Sequence, residues 1–181
     1  MQTVNESWIV EESKSDLKKT EWIKLVNGNN VVRFFGPLLQ AKRLQFSQKQ
    51  FVTVPLHMAV NCPESVKVSY IHFAGAIDRK DGVAKIMQIG PQIMKGIQAL
   101  VREDDFGHPS RYDINIVKND KSTSDFYKVT PKAPKPYSAS DLLAIEGFDT
   151  ESLSYWANPS PEHINKTITE FGFADAVSFT A

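Results

Sequence analysis

Three times in the chain an aromatic ring and a cation stand two positions apart within a run of β-forming residues: Trp22/Lys24, Arg33/Phe35 and Phe126/Lys128. Successive side chains of a strand point to opposite faces, so each pair shares one face while Ile23, Leu25, Val32, Phe34, Tyr127 and Val129 point to the other. The second set reads as core. The first offers flat rings for unpaired bases and cations for phosphates, with stacking worth about 1–3 kcal/mol per base. A single pair of this kind is ordinary packing beside a solvated lysine; the repetition is what points to an interface. Further cations fall where turns or strand ends are expected: Lys42 and Arg43, Arg79 and Lys80, Arg111, Lys118 and Lys121. In the run 66–74, Lys67 and Phe73 share one face and Tyr70 and His72 the other, and either set is a candidate for contact.

The overall charge of zero conceals a strong segregation. Residues 18–135 hold 19 of the 21 Lys+Arg and 10 of the 21 Asp+Glu, a net of +9. The first 17 residues carry Lys14 against Glu6, Glu11, Glu12 and Asp16, and residues 136–181 carry Lys166 against seven acids. A basic middle between acidic ends suits a polyanion-binding core whose tails restrain indiscriminate binding.

Groups for catalysis are sparse. His57, His72, His108 and His163 are scattered, with no pair at metal-ligand spacing on one element, and there is neither a Gly-rich phosphate loop nor a nucleophile elbow. Cys62 is the one cysteine, so an internal disulfide and a cysteine-based metal cage are excluded, and a reducing compartment is expected. No run of about 18 apolar residues exists, and Met1 to Asp16 is polar and acidic, which predicts neither membrane span nor signal peptide. The expectation is a cytoplasmic binding protein, with no enzymatic activity, cofactor or metal.

The elements that must position these residues are mostly short strands. Asn27-Gly28-Asn29-Asn30 between Trp22–Val26 and Val31–Phe35 predicts a hairpin, which Gly36-Pro37 then breaks. Lys42 to Phe46 is either a further strand or the start of a loop. Phe51 to Pro55 is β-prone, and a strand is expected over Val66 to Ala74. A second hairpin turns at Asp78–Gly82 and leaves through Val83 to Ile89. Pro91 opens a helix to about 102, with Ile93, Ile97, Leu100 and Val101 on one face. Strands at Tyr112–Val117 and Phe126–Thr130 follow, and the prolines of 131–136 end the sheet. Beyond them Ser140-Asp141 and Ser160-Pro161 open short acidic helices to about Glu146 and Glu170, read as lightly docked or mobile. The fold class expected is mainly β with α: an OB-like barrel of five to six strands with one packed helix, with a β-sandwich as the alternative. Its divisions are an acidic extension over 1–19, the core over 20–136 and an acidic, partly helical region over 137–181.

The hairpin Ala76-Ile77-Asp78-Arg79 … Gly82-Val83-Ala84-Lys85-Ile86, the helix after Gly90, then Asp105-Phe106-Gly107-His108-Pro109, Tyr112-Asp113-Ile114 and Phe126-Tyr127-Lys128-Val129-Thr130-Pro131 follow a familiar order. It resembles the single-stranded DNA-binding proteins of tailed phages, of the gene-32 type, and with the segment Trp22 to Phe35 the resemblance covers most of 20–136. It implies an OB-fold core that coats exposed single strands during phage DNA replication, recombination and repair in the host cytoplasm. It also implies an acidic C-terminal region that contacts replication or recombination proteins, and an N-terminal segment for cooperative self-association; 136–181 and 1–17 stand in those places. Several members hold zinc in a Cys/His subdomain, where this chain has only Cys62 and His57, so no zinc is expected. A protein-interaction barrel of a replisome or virion is the alternative reading.

Overall fold

The computed structural model describes residues 21–180, so the extension expected over 1–19 lies outside them. Their strands are β1 (Gly28–Gln45), β2 (Phe51–Pro55), β3 (Ala59–Asn61), β4 (Lys67–Asp78), β5 (Val83–Ile89), β6 (Ile114–Lys118), β7 (Tyr127–Pro131) and β8 (Ser178–Thr180). The helices are α1 (Pro91–Val101), α2 (Ala139–Glu146), α3 (Thr150–Ala157) and α4 (Pro161–Glu170). The main sheet is antiparallel in the order β5-β4-β1-β6-β7, with β2 added beside β1.

This is the strand order of an OB barrel, with the helix in its usual place between the third and fourth strands of the set. The barrel is not closed, however, because no ladder joins β5 to β7. Helix α1 fills the gap instead. Pro91 starts it where a missing N–H costs nothing, and Ile93, Met94, Ile97 and Leu100 enter a core with Val32, Phe34, Ala74, Ala76, Met87, Ile89, Ile114 and Ile116. Each fully buried Ile or Leu contributes about 1.5–3 kcal/mol. The close approach needs Gly96, since a Cβ there would lie 2.7 Å from Val129 on β7.

The hairpin expected at Asn27-Gly28 does not form. Residues 21–23 run parallel to β5, with the Ile23 N–H donating to the Ile86 carbonyl and the Ile86 N–H to the Glu21 carbonyl, both at 2.9 Å. The Asn30 side chain closes the intervening loop by accepting from the Val26 N–H and donating to the Val26 carbonyl. Val31 and Val32 find their antiparallel partner in β6. Gly36-Pro37 does not end the strand either. Gly36 takes a φ of +68° and the register against β4 slips between Phe35 and Leu39, so the pair forms a bulge inside an 18-residue strand. The hairpin β4–β5 forms as expected, with Gly82 at φ +74° in its turn.

The C-terminal helices are part of the core, not lightly docked as expected. Helix α3, which the sequence reading missed, sets Leu153 and Ala157 beside Ala41, Ile71 and Phe73 on one face of the sheet. Helix α4 sets Ile164 and Ile168 against Leu44, Val52 and Val54 on the other. The two helices therefore straddle β2, and β8 returns to pair with β3. Side-chain caps from Ser138, Asp149 and Ser160 begin α2, α3 and α4. No helix among the described residues is long and apolar enough to cross a membrane.

Candidate nucleic-acid interface

The outer face of the sheet, away from α1, follows from the register. Arg33, Phe35, Leu39, Ala41, Arg43 and Gln45 of β1 share it with Ile77, Gly75, Phe73, Ile71, Ser69 and Lys67 of β4. Alternation paired Arg33 with Phe35 and Lys67 with Phe73, each on one face; the register brings both pairs and Arg43 to the same face. They are not equally accessible there.

The half nearest the β4–β5 turn is covered by the chain's own C-terminal region. Phe35 is buried, meeting Phe148 edge-on at 5.0 Å between ring centroids. Phe73 is buried beneath Trp22, whose ring stands edge-on to Phe73 at 6.2 Å and to Trp156 of α3 at 5.2 Å. Gly75 makes room for this packing, because a Cβ there would come within 2.6 Å of the Phe35 ring. Phe35 and Phe73 are therefore core rings and Trp22 a half-buried bridge between segments, which corrects their assignment as stacking platforms.

Arg33 and Arg79 are likewise occupied. Arg33 is 1% exposed; its Nε donates to the Ser110 carbonyl at 2.8 Å, its Nη2 to the Lys135 carbonyl at 2.6 Å, and its guanidinium lies 4.6 Å from the Tyr137 ring centroid. The Asp113 carboxylate gathers Arg33 at 3.4 Å, Arg79 at 2.8 Å and Lys135 at 3.2 Å. Arg79 also grips both oxygens of the buried Asp141 carboxylate in α2. The hydrogen bond from Arg79 holds the Asp141 pKa at about 2, and the same pairing raises that of Arg79. Burial opposes the charge on Asp113, but hydrogen bonds from Arg79 and Lys135 outweigh it and keep its pKa low. A buried cation without such partners would be strongly destabilising. Both arginines are therefore corrected from phosphate contacts to structural cations.

The other half of the face is open. Across β2-β1-β4 its rows are Phe51–Gln45–Lys67 and Thr53–Arg43–Ser69. The Arg43 guanidinium lies 3.9 Å from the Phe51 ring centroid, its Nε is buried without a hydrogen-bond partner, and burial lowers its pKa. Phe51 is 39% exposed and Lys67 is exposed. At the β2 margin of these rows, Phe51, Val52 and Thr53 line a recess with Trp156, Pro159 and His163. Lys42 and Tyr70 are register partners on the opposite face; Lys42 donates to the Met58 carbonyl and Tyr70 is exposed. The open question of strand 66–74 is thereby answered for the outer face: it carries Lys67 and Phe73, and only Lys67 is accessible.

The remaining candidates lie apart from this patch. On the β6–β7 hairpin, Lys118 sits 5.5 Å from the Phe126 ring centroid and 3.2 Å from Asp120, while Lys121 and Lys128 are exposed. Lys24 and Lys80 line a cleft of about 810 Å³ between residues 22–26 and the β4–β5 turn. Arg111 lines another beside Tyr137. Phe126 is half-buried on Tyr127 and does not join Trp22 and Phe35 in one stacking surface.

Sequence reasoning missed Phe51, Trp156 and His163. Lys49/Phe51 has the same spacing as the three pairs singled out, so a signal for Phe51 was present. Nothing local announces that α3 and α4 return to the sheet beside it. Among the described residues no cluster of His, Cys, Asp or Glu is arranged to hold a metal ion. No family model matches the chain, and no curated protein matches it.

Proposed function

We propose that the protein binds single-stranded DNA without sequence specificity, through phosphate contacts and base stacking, and coats exposed strands in phage replication, recombination and repair. One observation carries the reading. The open half of the outer sheet face presents Arg43 stacked on Phe51, with Lys67 in the adjacent row, inside a segment of net charge +9. Rings and cations on one curved sheet are what single-strand binding requires, and the resemblance to gene-32-type proteins adds the biological setting.

Phosphate contacts release counterions, so affinity for oligo-dT is expected to fall with salt at a log–log slope near −0.7 per phosphate neutralised. Affinity that is flat between low and moderate salt overturns the proposal. A second reading, a protein-interaction module, is favoured by Leu142 and Leu143, which α2 leaves 56% and 69% exposed. Oligo-dT affinity that is negligible at low salt decides for that reading.

A further inference from the structure

The recess at the border of the open half measures about 100 Å³ and brings together Phe51 and Thr53 of β2 with Trp156, Pro159, His163 and Thr167 of the C-terminal region. A cavity of about 150 Å³ takes a whole benzene ring. This smaller, open recess therefore holds the leading part of one planar ring and leaves its other edge at the mouth. Its aromatic walls are held in place before any ligand arrives. Phe51 carries the Arg43 guanidinium over its ring, and Trp156 is braced edge-on by Trp22 at 5.2 Å and by Tyr155 at 5.6 Å. Fixed rings lose little freedom on binding, so stacking on them is retained as affinity.

The polar groups are arranged for the same kind of guest. His163, Thr53 and Thr167 add polar residues to its lining, and the Thr167 hydroxyl donates to the His163 carbonyl at 2.9 Å. Arg43 does not line the recess but lies over the Phe51 ring, with Lys67 in the adjacent row. A planar ring with hydrogen-bonding edges, carried on an anionic backbone, meets rings inside and cations outside.

We infer that the recess between Phe51 and Trp156 seats one unpaired base of a bound single strand, so that α3 and α4 are part of the nucleic-acid interface. The inference rests on the single-strand reading above and adds to it: the acidic C-terminal region supplies one wall of the site.

The test compares the full chain on oligo-dT and on a strand of equal length that is abasic throughout, at one salt concentration. The wild-type chain is expected to prefer oligo-dT by roughly 5- to 150-fold, the range that corresponds to stacking of one base. Phe51→Ala is expected to remove most of that preference, read as the ratio of the two affinities within each variant; His163→Ala lowers the ratio by a smaller factor. Both side chains are exposed, and unchanged melting temperatures verify that the variants fold. Tight binding by the wild-type chain with the same oligo-dT preference in Phe51→Ala overturns the base seat and leaves single-strand binding standing. Binding of neither strand by the wild-type chain overturns both.

Discussion

The two halves of the outer sheet face are made of the same materials and put to different uses. Arg33 with Phe35 and Arg43 with Phe51 are each an arginine near an aromatic ring on a common face of adjacent or identical strands. In the first half, Tyr137, Asp141, Phe148 and Trp156 supply the ring and carboxylate partners that a nucleic acid would otherwise supply as bases and phosphates. In the second half no segment of the described chain lies over Arg43 and Lys67 in that way. Residue type sets what a face can bind, and chain topology decides whether it is available.

The comparison breaks most visibly if the cover is removed. Ending the chain after Pro136 deletes Leu153, Ile164 and Ile168, each buried, at about 1.5–3 kcal/mol apiece, against a usual total stability of about 5–15 kcal/mol. Circular dichroism of the truncated chain is expected to show no cooperative melt. A transition within a few degrees of the full-length protein would mean that the first half stands without its cover.

A smaller effect sharpens the same point. Asp141→Asn removes the carboxylate that Arg79 grips and is expected to cost about 1–3 kcal/mol at neutral pH. The Asp141 pKa of about 2 lies below the unfolded value near 3.9. Its contribution is therefore present above about pH 4 and is lost as the pH falls towards 2. Urea midpoints of the two chains should converge across that interval; a constant gap would assign the loss to packing rather than to charge.

The smallest change concerns the open half. Lys67→Ala should leave stability within about 0.5 kcal/mol and lower the salt slope of oligo-dT binding by about 0.7. An unchanged slope would remove Lys67 from the interface.

What the sequence made legible was whatever a few neighbouring residues decide. The β4–β5 turn, the start of α1 at Pro91 and the start of α4 at Ser160-Pro161 carry their causes within a handful of positions. The segment Trp22–Phe35 looked equally local, yet its outcome depends on β5 taking residues 21–23 and β6 taking residues 28–32 as partners. Alternation correctly assigned Arg33 and Phe35 to the face opposite Val32 and Phe34. It could not register that a segment more than 100 residues downstream places Tyr137 on Arg33, because strand periodicity is blind to what packs on top. The candidate site followed the same rule: Arg43 and Lys67 were among the residues singled out in the sequence, and Trp156 and His163 on α3 and α4 were not.

The run of residues 21–23 along β5 has a consequence beyond the fold of one molecule. A strand margin with unpaired amides is a template on which a neighbouring chain can zip itself. Here β5 is flanked by Glu21 to Ile23, β2 is straddled by α3 and α4, and β7 has α1 beside it, with Gln92 accepting from the Tyr127 N–H. At these three margins a neighbouring copy would meet side chains rather than open backbone, so merging of sheets there is disfavoured.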